Sequence, residues 1–414
     1  MIAGPASTTS KPESTYAWLR LAASLGLMTI SGVGMYVSSV ALPAIQTEFG
    51  VDRSHASLPY TVTMVGFGLG SILMGRLADR FGVMVPTLVG GACLGAGFVF
   101  AGMAGSLWSF IAVLGVLVGL LGTAAGFAPL VADTSMWFDR RRGIAVAICA
   151  SGNYLAGAIW PPVLQHFFDA VGWRATFIGV GVFCAATIIP LAFALRRRPP
   201  RLDAAAGAAR RARRPIDLSP NSTITLLCIA GTACCVAMAM PQAHIVAYCS
   251  DLGYGAARGA QMMALMLGFG IVSRLASGWI CDRIGGLRTL LMGSVLQGIA
   301  LLLFLPFDGL VSLFAVSILF GLFQGGLVPS YTIIVRELFP PAEAGFKVGL
   351  LIMCNQIGMA LGGWMSGLVF DLTGSYRAAF LNGTAWNMVT LGVALFLLHR
   401  STRAGMGTPA PRGA

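Results

Sequence analysis

Apolar residues occur along this chain in twelve long runs that short polar stretches separate. The runs lie at about 18–45, 57–78, 84–103, 109–135, 144–168 and 175–195, and then at about 223–248, 257–281, 288–306, 311–335, 346–369 and 378–398. A helix needs about 20 apolar residues to cross the hydrocarbon layer of a membrane. The runs are too long for barrel strands and lack alternation with a period of two. We therefore predict twelve transmembrane helices.

The composition supports an all-α membrane protein. Hydrophobic residues make up 57% of the 414-residue chain and charged residues only 10%. A soluble domain has about 25% charged residues, so this chain has too little polar surface to fold in water. The 54 glycines are typical of helices that pack closely in lipid through small residues.

The second set of six runs repeats the first. The string Gly75-x-x-x-Asp79-Arg80-x-Gly82 closes the second run, and Gly278-x-x-x-Asp282-Arg283-x-Gly285 closes the eighth, 203 residues later. At offsets of 201 to 203, Phe138, Gly143, Asn153, Asp169 and Arg174 recur as Phe339, Gly345, Asn355, Asp371 and Arg377. We predict two pseudo-symmetric six-helix bundles related by an axis along the membrane normal, with a substrate site between them near the midplane.

Basic residues indicate the orientation and the domain limits. With both termini in the cytoplasm, 22 of the 27 lysines and arginines lie on the cytoplasmic side, as the positive-inside rule favours. We expect a bacterial-type inner membrane. The predicted division is a disordered cytoplasmic tail at 1–16, an N-terminal bundle at 17–195, a basic linker at 196–221, a C-terminal bundle at 222–400 and a cytoplasmic tail at 401–414.

The linker carries eight arginines and two aspartates, Asp203 and Asp217. Its net charge of +6 is half of the chain's net charge of +12. A basic patch is one mark of a nucleic-acid-binding surface. A cytoplasmic linker that faces anionic lipid explains the charge better. We therefore expect membrane lipid, and no nucleic acid, as its partner.

One loop carries a family resemblance. The string Gly75-Arg76-Leu77-Ala78-Asp79-Arg80-Phe81-Gly82 resembles the signature loop between the second and third helices of the major facilitator superfamily. The resemblance extends over essentially the whole chain. It implies a secondary transporter that works by alternating access, with a monomer as the default state.

The second half of the chain resembles bacterial relatives of the monocarboxylate and oxalate/formate carriers. The residues that carry this resemblance are Pro241-x-x-His244, Asp251-Leu252-Gly253, and Arg274 four residues before Gly278. In the signature loop, Val83 and Met84 replace the basic pair that usually follows the last glycine. Three further departures concern the carriers. Gly270 replaces an aspartate, Ser38 or Ser39 replaces a helix-1 lysine, and a helix-11 lysine has no counterpart because the central residues there are Asn355 and Gln356. These three departures leave proton coupling and dianion transport open.

Arg274 is the residue most informative about function. It lies eight residues, or roughly 12 Å along a helix, from Asp282, and so near the middle of the membrane. An arginine there costs at least about 2.5–3.5 kcal/mol and should face a cavity and have a partner. Because no acidic residue is central in any run, we expect Arg274 to bind a substrate carboxylate. A structural tie to helix-end carbonyl groups is the alternative.

Other polar residues within the runs are candidates for substrate binding. Asn153 and Asn355 occupy equivalent positions of the two halves and either bond substrate or join helices. The further candidates are Tyr36, Tyr154, Gln324 and Gln356. His244, beside Pro241, is a candidate for a gate or a proton-transfer residue, with a purely structural histidine as the alternative.

The repeated loops are candidates for conformational gating. We expect Asp79 to sit at the N-terminal end of the eleventh helix and to stabilise the outward-facing state. We expect Arg80 to pair with Asp133, and Asp282 to act at the fifth helix as Asp79 does at the eleventh. The candidate gating residues are Gly75, Asp79, Arg80, Gly82, Asp133, Gly278, Asp282, Arg283 and Gly285.

The sequence gives little sign of an enzyme. It has no His-rich metal set, no Ser/His/Asp arrangement and no Walker-type loop. The nine cysteines lack metal-ligand spacing, and we interpret Cys234-Cys235 as packing residues rather than a redox pair. We expect no cofactor and no metal.

Taken together, these patterns predict a carrier of a small organic anion, a monocarboxylate first, with proton coupling and anion exchange both open. The alternatives are a carrier of a drug or sugar and a membrane sensor that does not transport. The uncharged stretch 116–122 disfavours a drug antiporter, which has an arginine in its fourth helix.

Overall fold

The computed structural model describes residues 13–138, 141–197 and 218–406, all of whose long elements are helices. Most of the predicted linker and most of both predicted tails lie outside the described residues. The helices that are long and apolar enough to cross a membrane number twelve, as predicted. They are α1 (Thr15–Phe49), α2 (Arg53–Phe81), α3 (Met84–Gly102), α4 (Leu107–Trp137), α5 (Arg142–Val171), α6 (Trp173–Leu195), α7 (Pro220–Asp251), α8 (Ala256–Ile284), α9 (Gly286–Leu303), α10 (Leu310–Leu338), α11 (Pro341–Thr373) and α12 (Tyr376–Met406).

Three of these helices are interrupted. Helix α1 divides at Gly32 into Thr15–Ser31 and Val33–Phe49, and a Cβ at Gly32 would meet the side chain of Ala156 in α5. Helix α4 contains a π-helical stretch, Leu114–Thr123, between Leu107–Val113 and Ala128–Trp137. Helix α10 divides into Leu310–Gln324 and Leu327–Leu338. The breaks in α4 and α10 fall at equivalent places of the two halves.

The packing confirms the predicted pseudo-symmetry. Helix α1 packs on α5, α2 on α4 and α3 on α6; in the second half α7 packs on α11, α8 on α10 and α9 on α12. Glycines bring the α2–α4 and α8–α10 pairs close together. A Cβ at Gly70 would meet the carbonyl of Leu120, and a Cβ at Gly325 would meet the carbonyl of Gly270. The protein therefore has two six-helix bundles built to one plan.

The two repeated loops each need glycine at their last position. Gly82 has φ +84° and Gly285 has φ +85°. Residues with a side chain rarely adopt this backbone conformation, whereas glycine adopts it freely. The repeat found in the sequence is therefore also a repeat of backbone conformation.

The halves meet mainly through α2 with α11 and α5 with α8, and the contact is one-sided. We call the membrane face at which α1 begins the Thr15 side and the face at which α2 begins the Arg53 side. On the Arg53 side, a Cβ at Gly367 would meet the backbone of Arg53 and Ser54, and one at Gly363 would meet the ring of Tyr60.

On the Thr15 side, the same helices are apart. No described atom of another helix lies within 4 Å of a Cβ built at the glycines of this end, namely Gly75, Gly143, Gly278, Gly345 and Gly349. The space between the halves is therefore closed at the Arg53 side and open at the Thr15 side.

Candidate functional site

Arg274 of α8 lies at the seam between the halves, where it contacts α5. Its Nη1 donates a hydrogen bond of 3.1 Å to the carbonyl of Ala150. Its guanidinium carbon lies 4.4 Å from the ring centroid of Tyr154, one turn further along α5. Its Nε is buried without a hydrogen-bond partner in the described part of the chain. Arg274 therefore faces a neutral carbonyl and an aromatic ring, and it keeps unused donors.

Two glycines make room for the aromatic rings around Arg274. A Cβ at Gly270, one turn before Arg274, would collide with the ring of Tyr154. A Cβ at Gly157 would collide with the ring of Tyr36 and with Leu267. Because both tyrosines are almost fully buried, small residues at 157 and 270 are what allow the rings to sit there.

Tyr36 and Asn153 belong to the same group of residues. The Tyr36 hydroxyl donates to the backbone carbonyl of Asn153 at 3.2 Å. Asn153 itself is half-buried, and it directly precedes Tyr154. The structure thus brings together four of the predicted substrate-binding residues: Arg274, Tyr154, Tyr36 and Asn153.

The remaining predicted substrate-binding residues are three amides of α10 and α11. Gln324 is fully buried, and its Oε1 accepts a hydrogen bond of 3.1 Å from Gln242. Asn355 is 3% exposed and packs against Gly231 of α7. Gln356 packs against Gly68 of α2. Asn153 and Asn355, although equivalent in the repeat, therefore differ in exposure.

These three amides share one feature. Gln324 Nε2, Asn355 Oδ1 and Gln356 Oε1 are all buried without a hydrogen-bond partner among the described residues. A buried polar atom without a partner is costly, at about 1–3 kcal/mol. Their role in binding substrate stays a prediction.

His244 lies inside the second bundle, with both ring nitrogens bonded. Its Nε2 is 2.7 Å from the carbonyl of Gly363, and its Nδ1 is 3.2 Å from the hydroxyl of Tyr376. The carbonyl can only accept, so Nε2 carries the proton and Nδ1 accepts from the Tyr376 hydroxyl. His244 is fully buried, and Tyr376 connects it to Arg53 of the other half.

The predicted pair between Arg80 and Asp133 is wrong. Asp133 instead forms a buried bidentate pair with Arg20 of α1, at 2.8 and 2.9 Å. The Arg20 guanidinium also lies 4.7 Å from the ring centroid of Trp137. Arg80 is exposed and lies over the ring of Phe81. Asp133 therefore fastens α1 to the end of α4 within one bundle.

The remaining gating candidates lie at the open Thr15 side. Asp79 is exposed there. The guanidinium carbon of Arg283 lies 3.6 Å from the ring centroid of Trp279. The side chain of Asp282 falls outside the described residues. Since this structure is open at the Thr15 side, the gating roles of Asp79, Asp282 and Arg283 stay predictions about the opposite state.

Sequence reasoning missed the importance of Arg53, which it counted only as one basic residue in a short loop. Arg53 is buried, and it contacts Asp251, Asp371 and Tyr376 of the other half. A signal was present, because Asp371 is itself one of the residues that the repeat preserves. Its partner is too distant in the sequence to be identified there.

Comparison with known proteins places the chain in a family. The model of the Major Facilitator Superfamily matches residues 25–312 and 277–413. The chain belongs to the Major Facilitator Superfamily. It is a multi-pass membrane protein of a family of transporters.

Relatives within the superfamily include carriers named for monocarboxylates. The chain is 28% identical over 361 residues to monocarboxylate transporter 13 of Bos taurus, which covers 83% of this chain and 79% of the bovine protein. It is 27% identical over 347 residues to the uncharacterized MFS-type transporter YcxA of Bacillus subtilis. This match covers 79% of this chain and 82% of YcxA.

Solved transporter structures share the fold. A bacterial homologue of the human lysosomal transporter Spinster, inward-facing and unoccupied, matches with a TM-score of 0.72 at 14% identity, over 96% of this chain and 100% of that one. A POT family transporter in complex with 5-aminolevulinic acid also has a TM-score of 0.72 at 14% identity, with 93% and 96% covered. These matches confirm the superfamily fold.

Proposed function

We propose that this protein is a secondary active transporter of small organic anions, monocarboxylates first, and that it works by alternating access. The observation that carries the proposal is the setting of Arg274. This cation lies between the halves, and its contacts are a neutral carbonyl and an aromatic ring. A carboxylate is the ligand that best matches its free donors, because a guanidinium binds a carboxylate through two parallel hydrogen bonds.

The distribution of acids supports the same ligand. The ion pairs among the described residues lie at or near the two membrane faces, as between Arg174 and Glu48 or between Arg377 and Asp308. Arg274 takes part in none of those pairs. The substrate therefore supplies the negative charge that Arg274 needs inside the membrane.

The surroundings of Arg274 suggest the size and shape of the substrate. The buried ring of Tyr154 lies beside the guanidinium. Tyr36, also buried, bonds to the backbone of Asn153, which directly precedes Tyr154. We assign the carboxylate to Arg274 and the small apolar part of the substrate to the two rings. The relatives named as monocarboxylate transporters support this assignment.

The open Thr15 side supports the location and direction of the proposed cycle. We assign the Thr15 side to the cytoplasm of a bacterial-type inner membrane, with the bundles at 17–195 and 222–400 moving as two bodies. The charge bias of the sequence supports this orientation. In this assignment the structure is the inward-open state.

Ligand-induced stabilisation tests the assignment of Arg274. Purified protein is heated with lactate, pyruvate, formate or oxalate, and the unfolding temperature is recorded for wild type, Arg274→Ala and Arg258→Ala. A ligand at 100 times its Kd stabilises the folded state by about 2.7 kcal/mol. Arg258 lies on the same helix, exposed and bonded to Gln261, so its variant is the matched control.

The expected result is stabilisation of wild type and Arg258→Ala, and none of Arg274→Ala. Equal stabilisation of all three proteins would make Arg274 structural. No stabilisation of wild type by any of the four carboxylates would assign a different cargo, such as a sugar or a drug, to the same fold.

A further inference from the structure

Arg53 connects the two bundles at the closed face of the protein. It is the first residue of α2, in the N-terminal bundle, and its side chain is 7% exposed. The residues that bond to it all belong to the C-terminal bundle: Asp251 at the end of α7, Asp371 near the end of α11 and Tyr376 at the start of α12.

The side chain of Arg53 makes three kinds of contact across the seam. Its Nη2 donates to Asp251 at 3.1 Å, and its Nη1 donates to the hydroxyl of Tyr376 at 2.7 Å. Its guanidinium carbon lies 4.8 Å from the ring centroid of Phe370. A charge that is this deeply buried is costly to leave without these partners.

The backbone at Arg53 is held by the other bundle as well. The two carboxylate oxygens of Asp371 accept from the backbone N–H groups of Arg53, at 2.9 Å, and of Ser54, at 2.8 Å. Asp52, the residue placed to cap α2, makes no side-chain cap bond. The first turn of α2 is therefore capped by a carboxylate from α11, which also faces the positive end of the helix.

A chain of hydrogen bonds continues from Arg53 into the second bundle. Arg53 donates to Tyr376, Tyr376 donates to His244, and His244 donates to the carbonyl of Gly363 in α11. Gly363 packs against the ring of Tyr60 in α2. The contact at the surface is thereby joined to the packing of α2 on α11 below it.

Other ion pairs at this face stay within one bundle. Arg174 pairs with Glu48 inside the N-terminal bundle, and Arg377 pairs with Asp308 inside the C-terminal one. Separation of the bundles at the Arg53 side would leave both of these pairs intact. It would break the bonds of Arg53 to Asp251 and Tyr376 and remove the Asp371 cap from α2.

We propose that Arg53, with Asp251, Asp371 and Tyr376, is the gate that keeps the Arg53 side closed while the Thr15 side is open. Its release is a required step in the change to the opposite opening. The bonds of this gate are made in one state and lost in the other, so they set the balance between the two states.

Hydrogen–deuterium exchange tests the gate without a substrate, so its outcome is independent of the proposed cargo. Wild type, Arg53→Ala, Asp371→Asn and Arg174→Ala are compared in lipid nanodiscs. Peptides over 50–60 and 245–255 report the Arg53 side, and peptides over 75–84 and 278–286 report the Thr15 side. Arg174→Ala is the matched control, because it removes an arginine pair of the same face that does not cross the seam.

In Arg53→Ala and Asp371→Asn, we expect exchange at the Arg53 side to rise about tenfold, which corresponds to about 1.4 kcal/mol. Exchange at the Thr15 side should fall in the same variants, since that side then closes. Arg53→Lys should restore part of the wild-type pattern, and Arg174→Ala should change neither side. Faster exchange at the Arg53 side without protection of the Thr15 side, in both gate variants, would mean local fraying and would overturn the proposal.

Discussion

The ring of Tyr154 fills the space that a side chain at Gly270 would need. The same ring lies 4.4 Å from the guanidinium carbon of Arg274, one turn further along α8. The absence of a side chain at 270 thus lets a residue of the N-terminal bundle reach the cation of the C-terminal one. This relationship joins the two halves at the centre of the proposed site.

The first prediction concerns Gly270→Ala. The added methyl group displaces the Tyr154 ring, and overpacking of this kind costs about 1–3 kcal/mol. We expect the KM for carboxylate uptake to rise about tenfold, because Arg274 loses its neighbour. Gly392→Ala is the control, since Gly392 has no atom within 4 Å of a Cβ in the described structure. An unchanged KM in Gly270→Ala would show that the ring does not position Arg274.

The second prediction concerns the buried pair of Arg20 and Asp133. Their side chains are 2% and 4% exposed, and removing one partner of a buried pair costs about 3–5 kcal/mol. We expect Arg20→Ala to lower the unfolding temperature strongly, as measured by differential scanning fluorimetry. Arg377→Ala, which breaks an exposed pair with Asp308, should cost less than about 1 kcal/mol. Equal shifts in the two variants would contradict this account.

The third prediction separates the two asparagines of the repeat. Asn153 is half-buried beside the tyrosines, whereas Asn355 packs against Gly231. We expect Asn153→Ala to raise the KM for substrate with little loss of stability. We expect the main effect of Asn355→Ala to be a lower unfolding temperature, with a smaller change in KM. A larger KM effect in Asn355→Ala than in Asn153→Ala would place Asn355 at the substrate.

The sequence was sufficient for the fold. The twelve helices follow from the lengths of the apolar runs, and the pseudo-symmetry follows from the repeated loops that end in Gly82 and Gly285. It also marked Arg274 as a candidate, because a cation inside an apolar run is conspicuous on its own. The role of Arg274 in binding substrate stays a prediction.

The contacts between distant residues could not be predicted in the same way. Arg53 is bonded to residues 198 to 323 positions away, and such partners are decided by how the two bundles dock. The error at Asp133 has a similar cause. Arg20 and Arg80 both reach the Thr15 side, and only the packing of α1 on the end of α4 buries Arg20 against Asp133.

The most direct test of the central claim is uptake of labelled lactate, pyruvate, formate and oxalate into proteoliposomes by wild type, Arg274→Ala and Arg258→Ala. The proteoliposomes are prepared with or without a pH gradient across the membrane and with or without unlabelled anion inside. The effect of the gradient on uptake reports proton coupling, and the effect of the internal anion reports exchange. We predict saturable uptake by wild type and Arg258→Ala, and none by Arg274→Ala that is folded and inserted. Undiminished carboxylate uptake by Arg274→Ala would contradict the account.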